Sequence, residues 1–426
     1  MGSNFYASSP DSWSIEKFGN LAKITCGVAA TPTYVEESIG VPFFSASNVQ
    51  KGKLKLDKIK HIPVDLHNKL TKNTKPEKGD VLMTRVGAGI GEAAVVTVNY
   101  DFSVYVSLTL IKCGERLDSN FVQLVLNTDY YRYLAVREQF AGGGVQNLNV
   151  QMVKDYVFPV PPLPEQRKIA KILSTWDKAI STTEKLIETS KQQKKALMQQ
   201  LLTGKKRLVN PETGKAFQGD WEEVHLKDIC EVNPKKPKEP ENGLVSFVPM
   251  DAVSEDAKLL RTDEKSYSEV SKGFTSFKDL DTLIAKITPC FENGKGALVN
   301  NLENGVGFGS TEFHVLRARQ GNAPDFVYYL TTTSAFRVRG EMNMQGSAGQ
   351  KRVTTDYLKL YKVAVPKELN EQQKIASVLI AADKEIEVLE VKLAHFKQEK
   401  KALMQQLLTG KRRVKVDEEV AATSVS

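Results

Sequence analysis

Three closely spaced glycines, Gly87, Gly89 and Gly91, follow an apolar run and have the spacing of a loop that could cradle a phosphate. A phosphate loop must lead into a helix whose first amides point at the anion. The residues that follow here, 92–98, have the pattern of a strand. The spacing therefore predicts a hairpin turn. The sequence contains no G-x-x-x-x-G-K-[ST] loop, which excludes ATP hydrolysis by that route.

No other group of residues has the composition of a catalytic or metal site. Asn233-Pro234-Lys235-Lys236 is the string nearest to the Asn/Asp-Pro-Pro-aromatic loop that holds a flipped base, but it lacks the second proline and the aromatic residue. The five histidines form no H-E-x-x-H, and the four cysteines form no C-x-x-C pair. We therefore expect no catalytic residue and no metal ligand on this chain.

The remaining candidates are long polar side chains suited to holding nucleic acid. Arg85 and Lys286 end matched strands beside a turn, where a cation can reach a base edge or a phosphate; a solvated strand-end charge is the equal alternative. A glycine turn in each half of the chain is followed by further polar side chains able to bond bases or backbone. The predicted DNA-binding residues are Arg85, Gln146, Asn147, Lys286, Lys351 and Arg352.

The overall charge agrees with a polyanionic partner without identifying one. The chain has 59 Lys+Arg against 51 Asp+Glu, a net charge of +8 at pH 7. The cysteines lie far apart and are expected to be free thiols of a reducing compartment. The sequence also lacks a leader pattern and an apolar run long enough to span a membrane, so a soluble, cytoplasmic protein is expected.

The elements that must position these residues are duplicated. Residues 194–205 return letter for letter as residues 400–411, and the Glu-Gln-x-Lys-Ile-Ala string at 165–170 returns at 371–376 with the same offset. Both copies carry apolar residues in heptad spacing, which predicts two long helices that pack through one seam. The predicted seam residues are Ile169, Leu173, Trp176, Ile180, Ile187, Leu197, Leu201, Ile375, Leu379, Ile386, Leu389, Leu393, Phe396, Leu403 and Leu407.

The rest of the chain repeats more loosely. Residues 81–86, 93–98 and 103–111 read as strands, and residues 121–140 have helical spacing in a domain expected to contain one or two helices. Residues 220–365 follow the same outline. We predict an α+β fold with a first mixed α/β domain (1–158), a first spacer helix (159–209), a second such domain (210–365), a second helix (366–414) and a disordered tail (415–426). The helices are expected to form an intramolecular antiparallel coiled coil with pseudo-twofold symmetry; a coiled coil between two chains is the alternative.

The string Pro162-Leu-Pro-Glu-Gln-Arg-Lys-Ile-Ala170, together with the repeated twelve residues, resembles the specificity subunit of type I restriction-modification enzymes. The resemblance implies that each domain is a target recognition domain reading one half of an asymmetric bipartite site in double-stranded DNA. It also implies that the helices set the spacer between the half-sites. One departure is that Pro164 is replaced by Asn370 in the second copy.

The same resemblance implies that the chain is not itself an enzyme. Two methyltransferase subunits would dock on the helices and bring S-adenosylmethionine, while restriction subunits would bring ATP and Mg²⁺ chemistry, so no cofactor is expected on this chain. The repeated exposed residues expected to meet the two partners are Lys195, Gln199, Gln200, Lys401, Gln405 and Gln406. The alternative function is a coiled-coil adaptor that binds proteins and has no DNA specificity.

Overall fold

The computed structural model describes residues 9–29, 32–138, 147–347 and 349–416. The chain forms two compact units: residues 1–183 with 392–426, and residues 184–391. Each unit contains one mixed α/β domain and one segment from each of two long helices. The prediction of an α+β fold with two such domains and two long helices is confirmed.

The first domain is built on a four-stranded antiparallel sheet in the order β2-β10-β7-β8. A three-stranded sheet (β6-β3-β9) and two strand pairs (β1-β11 and β4-β5) complete it. The strands are β1 Ser14–Lys17, β2 Ala22–Cys26, β3 Gly40–Phe44, β4 Val49–Gln50, β5 Lys53–Leu54, β6 Lys60–Pro63, β7 Val81–Thr84, β8 Ala93–Val95, β9 Ser103–Val104, β10 Leu108–Cys113 and β11 Val157–Val160.

Strand β7 lies in the interior of this sheet and is buried on both faces. Val81 and Met83 pack into one apolar cluster, while Leu82 packs into another on the opposite face. This follows from the two-residue period of a strand. The chain leaves the sheet after Thr84, where β7 ends. The predicted strand over 103–111 is instead two strands, because a turn closes from Leu108 N–H to the Tyr105 carbonyl at 2.9 Å.

The helices of the first domain are α1 Val64–Thr71, α2 Ser119–Leu126, α3 Asp129–Glu138 and α4 Val150–Lys154. The helical spacing over residues 121–140 therefore corresponds to two helices, α2 and α3, among the described residues. The Asn127 amide donates to the carbonyl of Ala93 at 2.7 Å and accepts from its N–H at 3.1 Å, and the Thr128 hydroxyl donates to the Val125 carbonyl. These side chains satisfy backbone groups where the helix stops, which ends α2.

The second domain repeats the plan, with sheets in the orders β13-β20-β17-β18 and β15-β14-β19-β16 and a pair β12-β21. Its strands are β12 Trp221–His225, β13 Cys230–Val232, β14 Leu244–Val248, β15 Asp263–Ser266, β16 Thr275–Lys278, β17 Thr282–Ala285, β18 Gly296–Leu298, β19 Val306–Gly309, β20 Phe313–Ala318 and β21 Lys362–Pro366. Its helices, after the long helix α5 Leu163–Leu201, are α6 Leu226–Ile229, α7 Tyr267–Val270, α8 Pro324–Thr331, α9 Ser334–Met342 and α10 Thr355–Leu360.

The two long helices, α5 and α11 Leu369–Leu407, each have 39 residues, or roughly 58 Å at 1.5 Å per residue. Gly204 (φ +68°) and Gly410 (φ +73°) follow them in the left-handed conformation that terminates a helix. The side chain that any other residue would add at Gly204 would meet the Trp221 ring at 2.9 Å.

Within each unit the two helix segments pack side by side in opposite directions. In the first unit Lys400 Nζ lies 2.7 Å from Asp177 Oδ1, and the Trp176 and Phe396 rings meet edge to face at 5.7 Å. In the second unit Lys194 Nζ lies 2.6 Å from Asp383 Oδ1.

The predicted seam residues are buried or half-buried. Buried positions are Ile169, Leu173, Ile187, Leu201, Ile375, Leu379, Ile386 and Leu407. Half-buried positions are Trp176, Ile180, Leu197, Leu389, Leu393, Phe396 and Leu403. None of them is exposed, because the heptad pattern follows the faces that meet the partner helix and the domain.

Two further expectations concern cysteines and membranes. Cys26, Cys113, Cys230 and Cys290 are free thiols, as predicted. Among the described helices, none is both long and apolar enough to cross a membrane. The predicted disordered tail lies, from residue 417 onward, outside the described residues.

Candidate nucleic-acid interface

The same pair of backbone hydrogen bonds, which we call the frame, occurs directly after β7 in the first domain and directly after β17 in the second. Arg85 N–H donates to the Ser107 carbonyl at 2.9 Å, and the Arg85 carbonyl accepts from Leu148 N–H at 3.0 Å. In the second domain Lys286 N–H donates to the Glu312 carbonyl at 2.8 Å, and the Lys286 carbonyl accepts from Val353 N–H at 2.9 Å.

The frame shows which polar residues of the two domains are equivalent, because each comes directly before the residue whose N–H closes the frame. Asn147 comes directly before Leu148, and Arg352 comes directly before Val353. The pairing of Asn147 with Arg352 that the sequence suggests is therefore the pairing of the folded domains. Equivalent places thus carry an amide in one domain and a guanidinium in the other.

Arg85 is turned inward and is only 6% exposed. Its Nε donates to the Leu148 carbonyl at 2.8 Å, and its Nη1 donates to the Val106 carbonyl at 3.3 Å. The guanidinium therefore fastens the segment after Asn147 to the end of β7. A direct contact of Arg85 with DNA remains a prediction, but burial and these bonds assign the side chain a positioning role in this structure.

Lys286, the counterpart of Arg85, is half-buried, and its charge acts on two titratable groups, Glu312 and His314. Burial is the main cause that lowers the pKa of His314, and the charge of Lys286 lowers it further. The His314 Nε2 lies 2.8 Å from the Val353 carbonyl, which fits an imidazole that donates through Nε2. The second domain thus uses a neutral histidine to hold, at Val353, the segment equivalent to the one that Arg85 holds at Leu148 in the first domain.

The remaining predicted DNA-binding residues differ in exposure and in whether their side chains already have a partner. Lys351 and Asn147 are exposed, whereas Gln146 lies outside the described residues. Arg352 is held by Glu312, with Nη2 to Oε1 at 2.9 Å and Nε to Oε2 at 3.0 Å. This pair lowers the pKa of Glu312, the largest cause being the Arg352 hydrogen bond. Part of the Arg352 guanidinium is therefore already bound, and its orientation is fixed.

The lysines of residues 49–60, which we call the lysine hairpin, were missed as a candidate site. Their side chains are exposed from the β4–β5 turn to the start of β6: Lys51, Lys53, Lys55, Lys58 and Lys60. The signal was present in the sequence as five lysines and one aspartate within ten residues. It is diluted when charge is counted over the whole chain, where positive and negative residues nearly balance.

The repeated twelve residues line a groove in each unit, which we call the helix-end groove. In the first unit its helix wall is Lys401, Met404, Gln405, Thr409 and Lys411, and its volume is about 560 Å³. In the second unit the matching wall is Lys195, Met198, Gln199, Thr203 and Lys205, with about 420 Å³. The opposite walls also match, since residues 127–130 and residues 332–335 are the two helix junctions α2–α3 and α8–α9.

All six residues predicted to meet partners are exposed, namely Lys195, Gln199, Gln200, Lys401, Gln405 and Gln406. Four of them line the helix-end grooves. Each groove therefore combines lysine ammonium groups at its rim with a methionine in its floor. The far walls differ, because the first contains Asp129 and Tyr130 where the second contains Ser334 and Ala335.

No metal site accompanies these surfaces in the described part of the chain, where no group of three or more His, Cys, Asp or Glu side chains could hold an ion. The described residues thus form two α/β domains of similar plan, each with the same frame, and two long helices.

The family is shown by a family model for the "Type I restriction modification DNA specificity domain", which matches twice, at residues 10–191 and 218–396. The chain belongs to this family. The two matches cover both halves, including the segments that form each frame.

Individual relatives are similar over different extents. The specificity subunit of the type I enzyme EcoEI of Escherichia coli is 39% identical over 149 residues, 34% of this chain and 25% of that protein. The chain thus aligns with about a quarter of the E. coli subunits EcoEI and EcoAI. The MjaVIII specificity subunit of Methanocaldococcus jannaschii is 25% identical over 95% of this chain and 94% of its own length.

Solved structures share the fold. A chain from a type I restriction-modification system, studied for complex assembly and conformational transition, matches with a TM-score of 0.55 at 16% identity, covering 95% of this chain and 99% of that chain. The S subunit of a type I system from M. genitalium matches with a TM-score of 0.54 at 13% identity, covering 93% of this chain and 96% of that one.

Proposed function

We propose that this chain is the DNA-recognition subunit of a type I restriction-modification complex and that each domain reads one half of an asymmetric bipartite site. The observation that carries the proposal is the repeated frame. The same hydrogen bonds in both domains present different side chains, Asn147 in one and Arg352 in the other. An amide pairs well with adenine and a guanidinium with guanine in the major groove, so one scaffold used twice suits two different DNA words.

The helices are proposed to set the distance between the two half-sites. A duplex presents the same groove to one face about every 34–36 Å. Two continuous helices of 39 residues are stiff, so they can fix the distance between the half-sites without any contact to the bases between them. The spacer would then depend on the number of helical turns and not on the sequence of the DNA between the half-sites.

The two helix-end grooves are proposed to dock two copies of one methyltransferase subunit. Their helix walls are identical in sequence, whereas the domains that they flank differ. Identical walls beside different domains are expected if the same partner binds twice while the DNA words vary. Native mass spectrometry of the complex tests this: Lys195→Glu with Gln199→Arg should remove one methyltransferase subunit, and so should Lys401→Glu with Gln405→Arg. Retention of both subunits in each variant would contradict the docking proposal.

Catalysis is proposed to lie entirely on the partner subunits. S-adenosylmethionine would bind the methyltransferase subunits, and ATP with Mg²⁺ would bind the restriction subunits. Among the described residues no group of three or more His, Cys, Asp or Glu side chains could hold a metal ion. Purified chain given S-adenosylmethionine or Mg²⁺ should therefore leave DNA unmodified and uncut.

A titration of random-sequence duplex DNA against salt, made with the chain in complex with its methyltransferase partner, tests DNA recognition against the adaptor function. A phosphate-dominated binder loses affinity steeply as salt rises. We expect such a loss for the complex and a smaller one for the partner alone. Binding that does not depend on this chain would support the adaptor and overturn the proposal.

A further inference from the structure

The lysine hairpin is a charged surface with a fixed shape. β4 Val49–Gln50 and β5 Lys53–Leu54 pair around a turn in which Lys51 and Gly52 both have positive φ, 52° and 71°. Lys51, Lys53, Lys55 and Lys58 are exposed, and no carboxylate of the described residues forms an ion pair with them. Their positive charges are therefore available to an external anion.

Buried and conformationally fixed groups hold the hairpin in place. The Gly52 N–H donates to Glu92 Oε1 at 2.9 Å, and the Gln123 amide donates to the Gly52 carbonyl at 3.2 Å. Asn48, which is 3% exposed, donates to the carbonyls of Lys55 and Lys58 at 3.0 and 3.2 Å. A lysine-bearing loop held in this way loses less conformational freedom when it binds an extended anion than a free loop does.

The hairpin also adjoins the candidate interface. Glu92, which holds Gly52, closes the glycine turn that starts after Arg85, since its N–H donates to the Gly89 carbonyl and its carbonyl accepts from Thr84 N–H. The hairpin and the segment after Asn147 are therefore attached to the same turn, the first through Glu92 and the second through the Arg85 carbonyl.

The second domain has the opposite charge at the matching place. Val253 and Leu259 form the bridge equivalent to the β4–β5 pair, and Ala257 again has a positive φ of 58°. The tip between them carries exposed Glu255 and Asp256 and half-buried Lys258, so two carboxylates stand against one ammonium and the formal charge is −1. Glu255 Oε1 accepts from Asn293 on the turn that follows Lys286, at 2.8 Å. The hairpin and its anchorage to the turn are thus conserved between the domains, while the sign of the tip is reversed.

We propose that the lysine hairpin binds the phosphate backbone beside the first half-site and that the matching hairpin of the second domain does not bind it. The inference rests on the proposed function. Phosphate contacts fix the register of a protein on a duplex without carrying sequence information. The first domain then contributes more of the salt-dependent affinity than the second.

The test is the salt dependence of binding to a random-sequence duplex, measured with the chain assembled with its methyltransferase partners. Lys51→Asn with Lys53→Gln removes the charges of the tip and keeps a residue tolerated at positive φ. Each phosphate contact contributes about 0.9 to the slope of log affinity against log salt, so the slope should become shallower by about 2. Two variants serve as matched controls: Glu255→Gln with Asp256→Asn in the second domain, and Lys17→Gln with Lys23→Gln elsewhere on the first.

Both control variants should keep the steep slope of the unmodified complex, and thermal unfolding should be unchanged in all three variants. The inference is overturned if the lysine-hairpin variant also keeps that slope, or if the slope of the Lys17/Lys23 variant becomes shallower by the same amount. The phosphate contacts would then not lie at the lysine hairpin. A failure of the proposed function looks different, because the unmodified complex would then show no binding attributable to this chain.

Discussion

Arg413 and Glu165 form a two-pronged ion pair between the end of the chain and the start of α5. Arg413 Nε lies 2.6 Å from Glu165 Oε1, and Nη2 lies 2.7 Å from Oε2. The Trp13 indole also donates to this carboxylate, at 3.1 Å. The pair joins three parts of the first unit that are distant in sequence.

The second unit contains the same arrangement at equivalent places. Arg207 binds Glu371 through Nε and Nη2, both at 2.7 Å, and Trp221 donates to Glu371 at 3.4 Å. Each arginine follows the end of one long helix and binds the first turn of the other. The two glutamates are buried, so each needs its arginine as a counter-charge.

Loss of the arginine should destabilise the unit that it closes. Arg413→Gln leaves a buried carboxylate with two fewer charged hydrogen bonds, which we expect to lower the free energy of unfolding by on the order of 2 kcal/mol. Urea unfolding of the full chain measures this. Arg412→Gln, which removes an exposed charge from the neighbouring position, is the matched control and should change stability little. Equal effects of the two variants would show that the pair contributes nothing specific.

Arg85 gives a prediction that separates positioning from direct contact. Arg85→Gln removes the guanidinium that spans the Leu148 and Val106 carbonyls, together with its positive charge. We expect affinity for the specific site to fall about tenfold, from the loss of one charged hydrogen bond. The salt dependence on random DNA should stay as it is. A slope that becomes shallower by about one would instead mean that Arg85 binds a phosphate.

What could be read from the sequence was the local and repeated part of the design. Heptad spacing gives the buried face of a helix without knowledge of its partner, so residues such as Leu173 and Leu379 were identified. The return of residues 194–205 at 400–411 likewise indicated two equivalent helices. These features depend on neighbours within one or two turns.

What could not be read depends on contacts between distant residues. A strand-end arginine has the same sequence pattern whether it points to solvent or, as Arg85 does, back to a carbonyl supplied by Leu148. The Glu-Gln pair at 165–166 was seen as a repeat. Its role was not, because Gln166 bonds Asp118 N–H at 2.8 Å and the Pro161 carbonyl at 2.8 Å only once the domain is folded. The break between α2 and α3 is of the same kind, since it rests on Ala93.

The length of the helices is predicted to set the DNA spacer. Seven residues, one heptad, inserted after both Thr183 and Val391 add about 10 Å to each helix, or about three base pairs of duplex. Both insertions fall where the units divide, so the Lys400–Asp177 and Lys194–Asp383 pairs keep their partners.

Mapping of methylated sites in cells that carry this variant and its partner subunits measures the spacer. The same half-sites should be found farther apart. A heptad inserted only after Thr183 is the control, and it should abolish methylation because the helices then differ in length. An unchanged spacer in the double insertion would show that the helices are not the ruler.

Stability should fall in mild acid because of His314. Its pKa is held below 6.5, mainly by burial, so the folded second unit keeps the imidazole neutral while the unfolded chain takes up a proton. The contribution of this group is therefore complete above pH 6.5 and is lost as pH falls toward the folded pKa. Urea unfolding midpoints between about pH 7.5 and about pH 5 should decline less in His314→Gln than in the unmodified chain. Parallel declines would contradict this role.

The most direct test of the account is an exchange of residues 12–158 for the first domain of another member of the family, followed by methylome mapping in cells that also express the methyltransferase subunits. The account predicts that one half of the methylated site changes while the other half and the spacer stay the same. A change in both halves, or methylation that still follows the original first half, would contradict the assignment of one DNA word to each domain.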